Sequence, residues 1–297
     1  MTPITKIDAH HHLWELGSDH YPVLSAPPSD RYFGNTAGLR RQFGPAEFIA
    51  LAAASNVVKS VYVESMYAPT SEEPARVQAW SDQYGFPHAF VAKADLASPS
   101  LGSALDLFAL RKGFRGLRMT VNWDDDPMFR SVADPALLRN AAWRGGYAEL
   151  GHRGLIAEVM ALPAQLRDLA EAAAVAPQTT LVLNHTGMPL GRTEADRRAW
   201  REGMQALASL PNAFVKISGL GMIDHDWTSE SIQPVVDEAI AAFGVGRCIF
   251  ASNYPVDGLH ASYAAIWAAF EVITSGRSEQ DRAALFHDNA ERIYRLA

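Results

Sequence analysis

Three consecutive histidines, His10, His11 and His12, follow directly on the short β-competent run Ile4-Thr5-Lys6-Ile7. Side chains alternate across a strand, so the spacing predicts that His10 and His12 point to one side together with Asp8, and His11 to the other. Two imidazoles two residues apart at a strand end can hold one metal ion, or one reacting carbonyl, between them. Ile7, Leu13 and Trp14 frame the run with apolar side chains, unlike an affinity tag or a solvated turn.

The elements that must position these histidines are legible in the apolar pattern. Eight short apolar runs, at residues 4–9, 59–64, 89–93, 113–118, 154–159, 180–184, 213–217 and 248–252, are separated by longer stretches. Several of those stretches carry apolar residues at helical spacing, as at 46–54, 101–110, 137–150, 163–175 and 232–243. Continuous rather than alternating apolar strands imply burial on both faces, as in a parallel sheet covered by helices. Eight such units predict an α/β fold, a closed (β/α)8 TIM barrel formed by residues 1–297 as one domain. A doubly wound open sheet is the alternative, but no glycine-rich dinucleotide fingerprint follows the first strand.

In a barrel of this kind the site lies where strands end. Strand one delivers Asp8, His10 and His12, strand two Glu64, strand three Lys93 and Asp95, and strand four Arg118. Strand five delivers Glu158, strand six Asn184 and His185, strand seven Lys216 and Ser218, and strand eight Asn253 with Asp257 beyond. Polar strand ends are ordinary one at a time; a full circle of groups that titrate, bind metal or grip anions is the pattern of an active site. Arg118 and Lys216 are candidates for holding a substrate carboxylate or hydroxyls. Asp8 is placed to orient a histidine through its second nitrogen.

The first connection, residues 13–44, has little helical periodicity, and a loop of this length in a barrel reads as a lid or wall. Its aromatics Trp14, Tyr21, Tyr32 and Phe33 would supply an apolar cover, with Trp14 and Tyr21 as substrate contacts; a mobile surface insertion is the alternative. Asp124-Asp125-Asp126 reads as a solvated turn. Composition excludes other classes. With 26 Lys plus Arg against 33 Asp plus Glu in 297 residues, the net charge of −7 argues against nucleic acid as the partner. The lone Cys248 sits in an apolar run and reads as a small core residue. No apolar leader or membrane-length run is seen, which makes a cytoplasmic setting the expectation, with no membrane partner.

Ile-Asp-Ala-His10-His11-His12-Leu-Trp with Tyr21-Pro22, Leu183-Asn184-His185-Thr186-Gly187-Met188-Pro189, and Phe250-Ala251-Ser252-Asn253-Tyr254-Pro255-Val256-Asp257 occur in that order along the whole chain. Together they resemble the sugar-acid lactonase branch of the amidohydrolase superfamily, which includes fuconolactone and rhamnonolactone hydrolases and the pyrone-dicarboxylate lactonase. The resemblance implies an amidohydrolase-type barrel that hydrolyses a small-molecule lactone or sugar-acid derivative in carbohydrate catabolism. It carries His10 and His12 over as the first-strand pair and His185 as the sixth-strand histidine. A divalent metal, zinc first, held by His10, His12 and His185 is the expectation, and a metal-free site the alternative that the family allows. A homodimer is left open.

Two positions depart from that pattern. The strand-eight aspartate is Asn253 here, and strand five presents Glu158 and Met160 rather than a histidine. An amide cannot take a proton from water, so the general base must lie elsewhere. Glu64 is the first candidate, because it ends the apolar run Val61-Tyr62-Val63; Glu158, also a candidate anionic ligand or substrate contact, is the second and Asp257 the third. The expected mechanism is attack of an activated water on a lactone carbonyl, with His185 or a cation stabilising the oxyanion. A nonoxidative decarboxylase of the same superfamily and a non-catalytic sugar-acid binding protein are the rival functions.

Overall fold

In the computed structural model, which describes residues 4–17, 21–65, 72–191 and 193–296, every one of the eight apolar runs forms a strand. They are β1 Lys6–His11, β2 Val57–Val63, β3 Ala89–Ala92, β4 Phe114–Thr120, β5 Ile156–Met160, β6 Thr180–Leu183, β7 Ala213–Ile217 and β8 Cys248–Phe250. All neighbours pair in parallel and in chain order. The helices that cover them are α1 Pro45–Ala54, α2 Glu72–Tyr84, α3 Leu101–Ala109, α4 Ala141–His152, α5 Leu166–Ala174, α6 Glu194–Ala208, α7 Ser229–Phe243 and α8 Tyr263–Ile273, followed by α9 Glu279–Ala283 and α10 Asn289–Tyr294. The helix expected from residue 137 starts later because Asn140 caps it, its side chain accepting from the amides of Ala142 and Trp143.

The barrel closes through side chains and loop backbone. Beyond the end of β8, Ser252 N donates to Asp8 Oδ1 at 3.0 Å, Asn253 N to the His10 carbonyl at 2.8 Å, and His12 N to the Tyr254 carbonyl at 2.8 Å. Ser252 Oγ and Tyr263 Oη also donate to Asp8. Asp8 therefore seals the seam between first and last strands and makes no bond to an imidazole, which corrects the role expected for it. A register shift between Asp8 and His11 inserts one extra residue on β1 relative to β2. That bulge separates what strict alternation put together: Ile7 and Ala9 pack with Val61, Val91, Ile156, Val182, Ile249 and Tyr294, while Asp8 turns to the seam.

Residues of the first connection line the cavity, but not the ones expected, and residues 18–20 of it lie outside the described residues. Trp14 and Tyr21 are 0% and 1% exposed. Trp14 pairs with Phe43 through the backbone and donates from Nε1 to the Arg41 carbonyl at 2.7 Å. Both therefore hold the loop to the barrel, and Val23, Arg31, Tyr32 and Phe33 form the wall instead. Two histidines from other connections clasp this wall. His225, after β7, donates from Nε2 to the Tyr32 carbonyl at 3.1 Å, and His260, after β8, donates likewise to the Phe33 carbonyl at 2.8 Å. Their rings stack at 4.0 Å and 11°. Gly34, at φ +116, lies so close that a Cβ there would meet His260 Nε2 at 3.0 Å. No helix among the described residues is long and apolar enough to cross a membrane.

The clasp predicts local rather than global instability. Replacing both His225 and His260 by Ala should speed amide exchange over residues 32–36 by roughly tenfold, the effect of about 1.4 kcal/mol, while Tm falls by only a few degrees. Unchanged exchange would mean that the wall is held elsewhere.

Candidate active site

Closure of the barrel gathers the histidines. The His10 ring lies 5.1 Å from that of His12 and 4.6 Å from that of His185, centroid to centroid. His11 points the other way, stacking on Phe48 of α1 at 3.8 Å with its Nε2 3.0 Å from Ser60 Oγ. His185 and Asn253 both carry left-handed backbone, at φ 55 and 54. Neither is glycine, and such backbone strain concentrates at functional sites. Gly219, at φ +67, leaves room for His185: a Cβ on it would fall 2.5 Å from Nδ1.

Burial keeps these imidazoles neutral. It is the largest cause pushing His10 and His185 well below the usual histidine range and His12 down to about 4. Lys216 adds to the effect on His10, and Arg118 to that on all three. His12 Nδ1 donates to the Val63 carbonyl at 2.9 Å, so its Nε2 carries a lone pair, 3.2 Å from Asn253 Oδ1. Two acceptors cannot share a hydrogen bond. Turned by 180°, the amide gives Nδ2–H to His12 and accepts on Oδ1 from a protonated Asp257, the carboxyl that burial pushes up to about 7. Backbone amides of Gly219 and Gly221 also bond Asp257, so this residue holds the strand-eight turn.

Lys216 and Glu158 are placed otherwise than their expected contact with substrate requires. Both are 0% exposed, and Lys216 Nζ lies 2.7 and 2.8 Å from the two Glu158 oxygens. Asn184 Nδ2 and Tyr294 Oη donate to the same carboxylate at 2.9 and 2.6 Å. Tyr294 arrives from α10 at the far end of the chain, and only its place on an apolar helix face hinted that it would be buried. Lys216 and Glu158 thus form a sealed pair beneath the histidines, with Lys216 Nζ 3.4 Å from His10 Nδ1.

Glu64 and Arg118 do meet open space. They line a cavity of about 540 Å³ with Lys93, Asp95, Thr120 and the wall residues Tyr32 and Phe33. Arg118 Nη1 pairs with Glu64 Oε1 at 3.0 Å, while Arg118 Nε and Glu64 Oε2 are buried without partners. None of the three histidines lines this cavity, but Glu64 and Arg118 both act electrostatically on His12.

A divalent ion needs several free donors turned to one point. Among the described residues no three His, Cys, Asp or Glu side chains are so arranged. Asn253 contributes no charge, and His10 Nδ1 faces an ammonium where a ligand histidine ordinarily donates to a carboxylate or carbonyl. The rings of His10, His12 and His185 converge, but as arranged they do not fit a metal.

Comparison with known proteins places this geometry. The amidohydrolase family model Amidohydro_2 matches residues 7–296. The chain belongs to the amidohydrolase family. An uncharacterized protein of Sinorhizobium fredii, y4mH, is 42% identical over 298 residues, with 100% of both chains covered. The L-fucono-1,5-lactonase of Burkholderia ambifaria is 28% identical over 312 residues, covering 98% of this chain and 96% of its own. A solved amidohydrolase from Burkholderia multivorans with bound zinc is similar at a TM-score of 0.83 and 27% identity, over 99% of this chain and 100% of that one. This amidohydrolase has the family's barrel, with an amide where the resemblance implied a strand-eight carboxylate.

Behind Glu64 lies a second carboxyl, Glu73, bonded to Tyr62 Oη at 2.9 Å. Burial first, and then the Glu64 charge, push it up to about 8. A folded-state pKa above the ordinary glutamate value of 4.5 means that the folded protein binds the extra proton, so stability falls as pH rises from about 4.5 to about 8. Glu73→Gln should therefore gain on the wild type, by at least about 1 kcal/mol, between pH 5 and pH 8.5 in parallel denaturation curves. A constant difference would place the ionisation elsewhere.

Proposed function

We infer that this amidohydrolase opens a small lactone, of a sugar acid or a related carboxylated compound, by general-base hydrolysis. The observation that carries the reading is the pair of buried, unpartnered atoms on two residues that line the cavity, Glu64 Oε2 and Arg118 Nε. Burying such groups without partners is costly, and a bound water and substrate would satisfy both. The lactonase name of the 28% identical relative supports the same chemistry.

Glu64 Oε2 accepts a proton from water as the water oxygen bonds to the lactone carbonyl carbon. The tetrahedral intermediate collapses by breaking the bond to the ring oxygen, which leaves as an alcohol after taking that proton back from Glu64. The product is a hydroxy acid, and its ionisation releases one proton to solvent. Arg118 Nε holds a substrate hydroxyl or carboxylate, and its bond through Nη1 orients Glu64. Neutral imidazoles of His185 and His10 face the developing oxyanion. No step runs through a metal, zinc included, because the described residues as arranged do not hold one, so chelation should leave the rate unchanged.

A pH-indicator assay over a panel of aldonolactones, including L-fucono-1,5-lactone and carboxylated lactones, tests this. Proton release from at least one member is expected, and Glu64→Gln should lower kcat by about a hundredfold or more with little change in KM. Near-wild-type turnover in the variant would remove Glu64 as the base, and silence across the panel would favour a binding protein.

A further inference from the structure

The sealed charge pair has a consequence for the histidine above it. Glu158 accepts on both oxygens, from Lys216 and Tyr294 on Oε1 and from Lys216 and Asn184 on Oε2. With both oxygens accepting, the carboxyl is ionised, and the lysine against it is an ammonium with protons only to give. Within hydrogen-bonding distance His10 Nδ1 meets only that ammonium, at 3.4 Å, the nearer Glu158 oxygen lying 4.0 Å away, so Nδ1 accepts. A neutral imidazole carries its one proton on the other nitrogen, so His10 must present Nε2–H, which is buried and without a partner. His12, whose Nδ1–H is bound by the Val63 carbonyl, is fixed in the opposite form.

We propose that Lys216, held by Glu158 and Tyr294, is a positioning residue that locks His10 in its Nε2–H tautomer, making it a hydrogen-bond donor for the substrate carbonyl rather than a metal ligand. The carbonyl contact rests on the lactone reading above; the tautomer assignment does not. Burial of all three network residues explains why the lock holds: no water reaches Lys216, Glu158 or Tyr294 to offer His10 another partner. A neutral donor suits a carbonyl oxygen that gains charge only in the transition state, and it is preorganised before substrate arrives.

The test is long-range proton–nitrogen NMR of histidine-labelled protein at pH 7, with His10→Gln assigning the signals. His10 is expected as the Nε2–H form and His12 as the Nδ1–H form, and added zinc should shift neither. A His10 proton on Nδ1 in the wild type, or a zinc-induced shift of its Nε2, overturns the proposal. Lys216→Met should move His10 toward the Nδ1–H form and lower kcat ten- to a hundredfold with KM within about twofold, whereas Lys216→Arg should restore the wild-type tautomer and part of the rate. Should Lys216→Met not fold, Tyr294→Phe removes one donor from Glu158, and its spectrum should show His10 beginning to exchange between forms; a His10 signal unchanged by Tyr294→Phe counts against the network. Wild-type tautomers as stated with no lactone turned over would leave the Lys216 lock standing and remove the lactonase reading.

Discussion

The seam between the first and last strands is the constraint on which the rest depends. His10 and His12 lie near the start of the chain and Asn253 near its end, so no site exists until the barrel closes. Closure rests on Asp8, which is fully buried and accepts from Ser252 N, Ser252 Oγ and Tyr263 Oη. Burial raises its pKa, and those three donors, with the His10 backbone amide as a fourth, oppose the rise by favouring the anion. Hydrogen bonds to a charged acceptor contribute about 1.5–3 kcal/mol each, enough to fix the seam where β8 is only three residues long.

Within the closed barrel a second ion pair governs the chemistry. Replacing a buried pair such as Lys216–Glu158 by apolar side chains often costs nothing in stability, so stability alone is a weak reason for having one here. Its value in this fold is directional. It fills the barrel centre beneath the histidines, where Tyr294 of α10 closes the structure from below, and it turns a cation toward His10. Burial, with the same cation adding to it, keeps His10 neutral, so that it has a single ring proton to give. The left-handed backbone of Asn253 is held across the seam by its amide, which donates to the His10 carbonyl.

Much of this was legible in the sequence because it depends on local pattern. All eight strands lie within a few residues of the apolar runs, since burial on both faces leaves a plain signature. The rule that polar residues end barrel strands at the site picked out His10, His12, Glu64, Arg118, His185 and Asn253, which the closed barrel places near one another. It failed for Lys216 and Glu158, because whether an inward residue meets solvent or a partner across the barrel has no local signal. Alternation misplaced Asp8 because a bulge has no mark in Asp8-Ala9-His10. In the loop, aromatic content announced a cover but not which aromatics would face outward; Trp14 and Tyr21 were taken by the core nearest the strand end, leaving Tyr32 and Phe33 for the wall.

The central claim is that a lactone carbonyl meets imidazole N–H groups while Glu64 holds the attacking water. A crystal structure with the lactam counterpart of the fastest-hydrolysed lactone tests it most directly. The account predicts the lactam oxygen within hydrogen-bonding distance of His10 Nε2 and a water between Glu64 Oε2 and the carbonyl carbon. A metal ion bridging His10 and His12 to that oxygen, or a lactam turned away from Glu64, would contradict it.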